Sequence, residues 1–317
     1  QINPKFANAY FNLGNIYDKQ QDYKNAIINY NQAIKINKNY PNPLNNLGNI
    51  YLNLKEYKKA IRYYQKAIKL DPKFTNAYYN LGNTYQKLQD YKNAIINYNQ
   101  AIKINKNLVS AYYNLAIILN TINKQKEANV LFKKAIDMGS KPAISNYLYN
   151  LNFSTTHNKK EIYTEHKNHA NKLLIQNEKI QHNNLSKKKF IPYTKIRIGF
   201  LSSDFRQHSV KYFLESIFED YNRDKFEIYC FSNSIEEDKV TIRFRSLVDK
   251  FFSIYEMSDI ETYNHIKSFN LHFLIELNGH TNGNRLCILK KGIAYKIISW
   301  IGYPNTTGLT TVDYKIT

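Results

Sequence analysis

TNAYYNLGNTYQKLQDYKNAIINYNQAIKINKNL, residues 75–108, is one of four similar segments in the first half of the chain. The others are residues 7–40, 41–74 and 109–142, so the segments follow one another at a spacing of 34 residues. A fixed period of this length indicates one small structural unit repeated along the chain. Such a unit buries its apolar residues against its neighbours, so the first half is predicted to be a stacked array.

The residues that recur in register are those that pack helices together. They are Leu13, Leu47, Leu81 and Leu115; Gly14, Gly48, Gly82 and Ala116; Tyr17, Tyr51 and Tyr85; and Ala26, Ala60, Ala94 and Ala128. Small residues let two antiparallel helices approach closely, and the larger ones fill the space between them. The pattern resembles the tetratricopeptide repeat, which predicts an α-solenoid over residues 1–142. Residues 1–6 match the end of a repeat, so we expect a further unit upstream.

An asparagine occupies the same position in each unit: Asn12, Asn46, Asn80 and Asn114. Burying an amide without hydrogen-bond partners costs about 1–3 kcal/mol, which argues against a place in an apolar core. On the concave surface of a solenoid these amides could grip the backbone of a bound peptide, because each has a donor and an acceptor. The alternative is that asparagine is simply common in this chain. We favour the peptide-binding interpretation.

The chain is strongly basic, with a formal net charge of +20. Roughly +14 falls before residue 142 and roughly +6 after it. Such a balance can attract nucleic acid, but Lys, Asn, Ile and Tyr are abundant together, which indicates a compositional bias. Most lysines are then a solvated helix exterior, and we do not expect a nucleic-acid partner. No apolar run approaches the ~18 residues of a membrane span and no signal peptide is visible, so we expect a soluble protein.

The chain shows no metal-site pattern. Cys230 and Cys287 are the only cysteines and lie far apart, which favours small packing residues in a reducing compartment over a disulfide. His166 and His169 can share a helix face, but no carboxylate-and-histidine set accompanies them. We therefore assign them packing or surface roles and predict neither a metal nor a cofactor.

The repeat pattern lapses near residue 142. Residues 142–150 and 159–176 still read as helices, and the polar, basic segment at residues 181–194 reads as a linker. We therefore predict a helical joint and linker over residues 143–194.

From residue 195 the pattern becomes strand-like. The apolar runs are KIRIGFLSS (195–203), FEIYCFSN (226–233), KFFSIYE (250–256), LHFLIELNG (271–279) and YKIISWIG (295–302). Helical stretches separate several of them, which predicts a parallel sheet with helices on both faces. Residues 195–317 are predicted to form a Rossmann-like α/β lobe, with a sixth strand near its end.

Three polar loops follow the first, fourth and fifth of these strands. Parallel strands end at one edge of the sheet, where ligands collect, so we expect His208, His280 and Thr306 to gather there. His208 precedes a predicted helix, whose dipole disfavours an imidazolium. A neutral ring there could accept a proton or bind a substrate hydroxyl. The alternatives are a capping histidine and, for the last loop, a structural turn supported by Pro304 and Gly308.

The array, the joint and these loops together resemble the nucleocytoplasmic protein O-glycosyltransferases. This family comprises O-GlcNAc transferase and its SPINDLY-type O-fucosyltransferase relatives. The segments that carry the match are SNYLYNLNFS (145–154), IGFLSSDFRQHSVKYFLE (198–215), LIELNGHTNGNRL (274–286) and SWIGYPNTTGLTTVDYKIT (299–317). The His-Ser-Val, Asn-Gly-His-Thr and Asn-Thr-Thr-Gly-Leu motifs look closer to the SPINDLY-type and bacterial branch than to the animal enzymes.

The resemblance implies a GT-B fold, of which residues 195–317 would be the first lobe, and an inverting transfer to Ser or Thr hydroxyls. His208 would lie in the active site beside the sugar and the acceptor. The loops lining the cleft would contribute Gly279, His280 and Thr281, and Gly302, Tyr303, Pro304, Asn305, Thr306, Thr307 and Gly308. The donor would be UDP-GlcNAc or GDP-fucose, held mainly by a second lobe with an essential lysine near the diphosphate.

The chain departs from the family pattern before the fifth strand. Residues 292–297 read GIAYKI, where the family usually has R-P-A-P, and this questions the entry into that strand. The second lobe is not among the 317 residues, so we expect a piece of a longer protein that is inactive alone. An acidic partner for His208 is not identifiable.

The sequence therefore predicts a cytosolic or nuclear protein O-glycosyltransferase whose repeats recruit polypeptide acceptors and are a candidate homodimer surface. The alternative function is a protein-binding scaffold without catalytic activity.

Overall fold

The computed structural model of the chain describes residues 5–154, 157–174 and 195–316. The chain divides into two compact units, Gln1–Ser140 and Lys141–Thr317. The two helices of the joint therefore belong to the same unit as the sheet. The predicted linker at residues 181–194 lies outside the described residues.

The first unit is a series of antiparallel helix pairs. The pairs are α1 (Lys5–Lys19) with α2 (Tyr23–Ile36), α3 (Pro41–Asn53) with α4 (Tyr57–Leu70), α5 (Thr75–Lys87) with α6 (Tyr91–Ile104), and α7 (Val109–Thr121) with α8 (Gln125–Asp137). Each helix packs against the other member of its pair, and the second helix of a pair packs against the first helix of the next. The predicted α-solenoid of tetratricopeptide repeats is confirmed.

A buried tyrosine explains the recurrent glycine of the first helix in each pair. The ring of Tyr64 is fully buried, and a Cβ on Gly48 would lie 2.5 Å from its Cε1 atom. The same contact recurs in the first and third units. The glycine thus makes room for an aromatic ring from the second helix, at a position that the sequence pattern had not singled out.

The hydroxyl of that tyrosine bonds an asparagine side chain, and the one unit that lacks the tyrosine also lacks the asparagine. The Tyr30 hydroxyl donates to Asn15 Oδ1 at 2.8 Å, and equivalent bonds of 2.8 and 2.6 Å occur in the second and third units. In the fourth unit the two positions hold Phe132 and Ile117. Hydroxyl and amide are lost as a pair, so neither of them is left buried without the other, which would cost about 1–3 kcal/mol.

The second unit contains two joint helices and an α/β lobe. The helices are α9 (Lys141–Leu151), α10 (Lys159–Ala170), α11 (Lys211–Asp220), α12 (Lys239–Leu247) and α13 (Asp259–Ser268). The strands are β1 (Ile196–Ser202), β2 (Phe226–Ser232), β3 (Lys250–Ser253), β4 (Phe273–Glu276), β5 (Lys296–Trp300) and β6 (Tyr314–Ile316). All the pairings between neighbouring strands are parallel.

The order of the strands places the candidate site. The sheet runs β3-β2-β1-β4-β5-β6, which confirms the predicted Rossmann-like lobe. The direction in which strands are added reverses between β1 and β4. In open α/β sheets, ligands bind outside the carboxyl ends of the strands at such a switch point. We therefore expect a ligand site at the loops after β1 and β4.

The core of the lobe lies between the sheet and its helices. Phe200 of β1 and Phe218 of α11 meet edge to face with ring centroids 5.3 Å apart, and Phe218 contacts Phe244 of α12 in the same way at 5.1 Å. Cys230 of β2 is fully buried in this cluster. Strands covered on both faces read as nearly continuous apolar runs, which is why these runs were visible in the sequence.

The described parts of the chain show no disulfide, metal-binding cluster or membrane-spanning helix. Cys230 and Cys287 are free thiols. Within residues 5–154, 157–174 and 195–316, no group of three His, Cys, Asp or Glu side chains is placed to hold a metal ion. None of the helices in these ranges combines the length and apolar character that crossing a bilayer requires.

Candidate functional site

A cavity of about 670 Å³ opens at the carboxyl edge of the sheet. Its walls come from the segments that follow five strands. They are Ser203, Asp204, Arg206, His208 and Ser209 after β1; Asn233, Ser234, Ile235 and Glu236 after β2; Tyr255 after β3; Thr281, Asn282 and Gly283 after β4; and Gly302 after β5. Of the site residues predicted from the sequence, the cavity brings together His208, Thr281 and Gly302.

The loops after β1 and β4 are held together by one buried amide. Asn278 follows β4, and its Oδ1 accepts a hydrogen bond from Ser203 N at 2.9 Å. Its Nδ2 donates to Ser203 Oγ at 2.8 Å and to Asp204 Oδ2 at 2.9 Å. Asn278 therefore fixes the Asp204 carboxylate at the switch point.

His208 presents a half-exposed imidazole beside that carboxylate. Its side chain is 42% exposed, and its Nδ1 lies 3.9 Å from Asp204 Oδ2. Nδ1 also accepts a hydrogen bond of 3.4 Å from Val210 N, just before α11. A nitrogen that accepts carries no proton in the neutral ring, so Nε2 carries it and is the atom left for a ligand. Asp204 is the acidic neighbour that sequence reasoning had not identified.

A buried carboxylate anchors the start of the loop after β4. Glu276, the last residue of β4, is 1% exposed, and its Oε1 accepts from Asn278 N at 2.6 Å and Gly279 N at 2.7 Å. Burial raises the pKa of Glu276 to about 7, even though these two hydrogen bonds lower it. Within the described residues, Glu276 Oε2 has no hydrogen-bond partner. Glu276 thus orders the turn containing Gly279.

His280 is buried outside the cavity, against the joint helix α9. Its Nε2 lies 2.8 Å from Thr307 O, and its Nδ1 lies 3.3 Å from Ser145 Oγ. A carbonyl oxygen can only accept, so Nε2 carries the proton and Nδ1 accepts from the serine hydroxyl. Burial lowers the pKa of His280 to about 3, so the ring is neutral near pH 7. The structure therefore separates His280 from His208.

Tyr303 is buried at the same contact with the joint. Its hydroxyl accepts from Asn152 Nδ2 at 2.9 Å. The hydroxyl proton is shared between His166 Nε2 at 2.7 Å and Leu148 O at 3.1 Å. His166 Nδ1 lies 2.8 Å from Ile162 O and donates to it, which leaves Nε2 as an acceptor. His166 is fully buried, in the packing role that the sequence suggested.

The rest of this loop also lies outside the cavity. Asn305 Nδ2 donates to Asn152 Oδ1 of the joint at 3.1 Å. Thr306 Oγ1 accepts from Gly308 N at 3.1 Å within the loop itself, and Pro304 is exposed. The segment SWIGYPNTTG therefore supplies Gly302 to the cavity, while the residues that follow it mainly fasten the lobe to α9 and α10.

Gly308→Ala is expected to destabilise the second unit strongly. Gly308 has a φ of +73°, and a Cβ there would lie 2.3 Å from His166 O in α10. The left-handed backbone costs an alanine about 1–2 kcal/mol. Overpacking against backbone, which yields less easily than a side chain, adds about 1–3 kcal/mol. Urea unfolding of wild type and variant measures the total loss in the free energy of unfolding.

Gly139→Ala is the matched control for this prediction. Gly139 has a φ of +92°, but a Cβ there would meet no atom within 4 Å. It should show only the cost of the backbone conformation, in the unfolding of the first unit. Equal losses in the two variants would contradict the close contact between Gly308 and α10.

The recurrent asparagines of the array connect neighbouring repeats. The side-chain nitrogen of each later asparagine donates to an asparagine oxygen of the preceding unit: Asn46 to Asn15 at 2.8 Å, Asn80 to Asn49 at 3.0 Å and Asn114 to Asn83 at 3.0 Å. Asn12, in the first unit, is exposed. Within the described residues, the side-chain oxygens of Asn80 and Asn114 accept no hydrogen bond. These amides thus link successive repeats, and their role in binding a peptide remains a prediction.

Three residues of the site escaped sequence reasoning, and each had a signal. Glu276 is the one charged residue in the apolar run LHFLIEL, and a carboxylate in a buried strand needs a local purpose. Asp204 and Asn278 each stand near the carboxyl end of a strand that borders the switch point. Only the strand order shows that these two strands are neighbours, so the contact between them could not be predicted.

Comparisons with known proteins agree with this architecture. The family model described as glycosyl transferase family 41 matches residues 138–317, and tetratricopeptide repeat models match residues 14–55, 41–74 and 75–108. The solved structure of an O-GlcNAc transferase mutant from Thermobaculum terrenum superposes with a TM-score of 0.64 at 21% identity, covering 87% of this chain and 53% of that one. This likeness shows the fold.

Two curated proteins illustrate the sequence similarity. The chain is 38% identical over 130 residues to the probable UDP-N-acetylglucosamine–peptide N-acetylglucosaminyltransferase SPINDLY of Arabidopsis thaliana, across 40% of this chain and 14% of that protein. It is 33% identical over 128 residues to the UDP-N-acetylglucosamine–peptide N-acetylglucosaminyltransferase of Caenorhabditis elegans, across 39% of this chain and 11% of that protein. The chain thus spans only a small part of the length of these relatives. Because the glycosyltransferase model matches more than half of its residues, this chain belongs to glycosyl transferase family 41.

Proposed function

We propose that this chain is part of a protein O-glycosyltransferase that transfers GlcNAc or fucose from a nucleotide sugar to Ser or Thr hydroxyls. One observation carries the proposal. In a member of glycosyl transferase family 41, the loops after five parallel strands line one polar cavity at the switch point, and His208 lies in it beside Asp204. The tetratricopeptide repeats on the same chain are suited to recruiting the polypeptide acceptor.

The transfer joins the acceptor oxygen to the anomeric carbon of the sugar. The bond from that carbon to the phosphate oxygen breaks, its electron pair leaves with the nucleoside diphosphate, and the proton of the acceptor hydroxyl passes to the departing diphosphate or to solvent. We expect inversion at the anomeric carbon. Nε2 of His208 would orient the acceptor hydroxyl by a hydrogen bond. Asp204, 3.9 Å from the ring, would stabilise the imidazolium whenever the ring takes up a proton.

The array would hold the acceptor polypeptide in an extended form. The nitrogens of Asn80 and Asn114 are engaged with the preceding unit, so the side-chain oxygens are the groups left for a ligand. An amide oxygen accepts from a peptide N–H whatever the side chain of that residue is. This arrangement suits an enzyme that must accept many protein sequences.

The proposed reaction needs a donor substrate and no cofactor. Two donors fit the family, UDP-GlcNAc and GDP-fucose. Both named relatives are called UDP-N-acetylglucosamine–peptide N-acetylglucosaminyltransferases, whereas GDP-fucose rests on the resemblance to SPINDLY-type O-fucosyltransferases, so the assay includes both donors. We propose the cytosol or the nucleus as the location, where nucleotide sugars and unfolded acceptor segments meet.

A transfer assay tests the proposal. The full-length protein is incubated with a Ser/Thr peptide and either donor, and the mass of the peptide is measured. We expect transfer from one of the two donors, and none to a matched peptide in which alanine replaces every Ser and Thr. Peptide binding without transfer from either donor would overturn the enzyme proposal and favour a scaffold.

A further inference from the structure

Arg285 is a nearly buried arginine in the loop after β4, two residues beyond Gly283 of the cavity wall. Its side chain is 12% exposed, and its Nη1 is paired with Asp259 Oδ1 at 2.6 Å. Its Nε donates to Asn233 Oδ1, after β2, at 3.0 Å. The guanidinium therefore joins the segments that follow β2 and β4 to the start of α13.

The remaining nitrogen of the guanidinium organises the segment after β3. Arg285 Nη2 donates to the carbonyl oxygens of Ile254 at 3.1 Å, Tyr255 at 3.3 Å and Met257 at 2.9 Å. Three carbonyls converging on one nitrogen define the path of that short turn. A planar guanidinium reaches all of these acceptors at once, whereas the single ammonium of a lysine cannot.

The groups that Arg285 holds form part of the cavity wall. Asn233, Tyr255 and Gly283 all line the cavity. Asn233 also receives support from the other side, because its N donates to Ser202 O at 2.9 Å and its Nδ2 to Gly283 O at 2.9 Å. Arg285 does not line the cavity, but it sets the spacing of the loops after β2, β3 and β4, which do.

We propose that Arg285 is a positioning residue for the cavity, which acts through Asn233 and Tyr255 without touching the substrate. The inference rests on the proposed function as far as turnover is concerned. Its structural part, that one guanidinium orders the loops after β2 and β3, can be tested without any substrate.

Hydrogen exchange tests the structural part. In the full-length Arg285→Lys variant, which keeps the positive charge, the backbone amides of residues 233–237 and 254–258 are expected to exchange at least ~10-fold faster than in the wild type. The amides of β1 and β4 should exchange as before. Unchanged exchange in the two loops, or equal acceleration throughout the lobe, would overturn the inference.

Chemical rescue tests the functional part. Arg285→Ala should lower kcat/KM for transfer by about 100-fold, because displaced walls misalign the substrate. Millimolar guanidinium should restore part of this loss by occupying the vacated site, whereas a variant that has merely lost stability would gain no activity from the same salt. Arg243→Ala is the matched control, since that arginine pairs with Glu215 and Glu219 on α11, away from the cavity.

The outcomes separate this inference from the proposed function. Wild-type protein that transfers no sugar refutes the function and leaves the exchange experiment to decide on Arg285. Active wild-type protein with an Arg285→Ala variant that is fully active, or impaired and not rescued, refutes the positioning role.

Discussion

Replacing His208 with alanine is expected to lower kcat/KM for sugar transfer by about 100- to 10,000-fold in the full-length protein. This is the range usually lost with a side chain that positions or transfers a proton in the reaction. His208 is the half-exposed imidazole of the cavity and lies beside Asp204. The described residues that line the cavity include no second histidine that could take its place. Initial rates with saturating donor and varied peptide would measure the loss.

A glutamine variant distinguishes the two roles that His208 can have. Because His208 Nδ1 accepts from Val210 N, the proton of the neutral ring is on Nε2. The amide of glutamine can donate a hydrogen bond but cannot take up a proton at neutral pH. If His208 orients the acceptor, His208→Gln retains more activity than His208→Ala. If the ring is the base, the two variants are equally impaired.

His272→Asn controls for the loss of a histidine elsewhere in the lobe. His272 precedes β4, at the opposite edge of the sheet from the cavity, and its Nδ1 accepts from Arg197 N at 3.0 Å. An asparagine oxygen can accept that hydrogen bond, so transfer should continue near the wild-type rate. Comparable activity of the His208→Ala and His272→Asn variants would contradict the assignment of His208.

Acid is expected to destabilise the second unit through His280. Burial lowers the pKa of this ring to about 3 from its ordinary value of 6.5. Between these two pH values the unfolded chain binds a proton that the folded chain does not. The free energy of unfolding therefore falls as pH decreases from 6.5 towards 3, by at most about 5 kcal/mol from this group. His166, whose pKa burial also lowers, acts in the same direction.

Glu276 has the opposite effect over part of this range. Burial raises its pKa to about 7 from the ordinary value of 4.5, so between these values the folded chain binds the extra proton. Its contribution to the free energy of unfolding increases by up to about 3 kcal/mol as pH decreases from 7 to 4.5. Glu276 and His280 therefore largely offset each other down to pH 4.5, and the effect of the histidines dominates below it.

A comparison with His280→Gln isolates the histidine. The Nε2 of glutamine can donate to Thr307 O as the ring does, but it does not titrate. The difference in free energy of unfolding between wild type and variant should shrink by about 3 kcal/mol when pH is lowered from 7 to 4. Urea unfolding at each pH measures it. A difference that does not depend on pH would show that His280 is not buried as a neutral ring.

Much of the fold could be predicted because its signals are local and repeated. The period of 34 residues placed the helix pairs, and the alternation of apolar runs with helical stretches placed the strands. These patterns follow from which face of each element is buried. The loops after several strands also lie together at the carboxyl edge of the sheet, as expected, and His208 is among the residues there.

The division of labour within the loops could not be predicted. His280 and Thr306 have the polar character of site residues, yet His280 is sealed against α9 and Thr306 bonds within its own loop. A polar side chain satisfied by a buried partner and one left for a ligand look alike in sequence. Ser145, the partner of His280, and Asn152, the partner of Asn305, each stand more than a hundred residues away from the residue that they contact, and only the fold brings them close.

Photo-crosslinking from the cavity wall tests whether the substrates bind in this cavity. In the full-length protein, a photoreactive phenylalanine replaces Ile235, which lines the cavity and is 72% exposed. In a control it replaces Tyr163 of α10, which is 54% exposed and does not line the cavity. We expect that the acceptor peptide or the nucleotide sugar is captured from position 235 and that excess unlabelled substrate suppresses the capture. Position 163 should capture neither. Active protein that captures substrate equally from both positions, or not at all from position 235, would contradict this expectation.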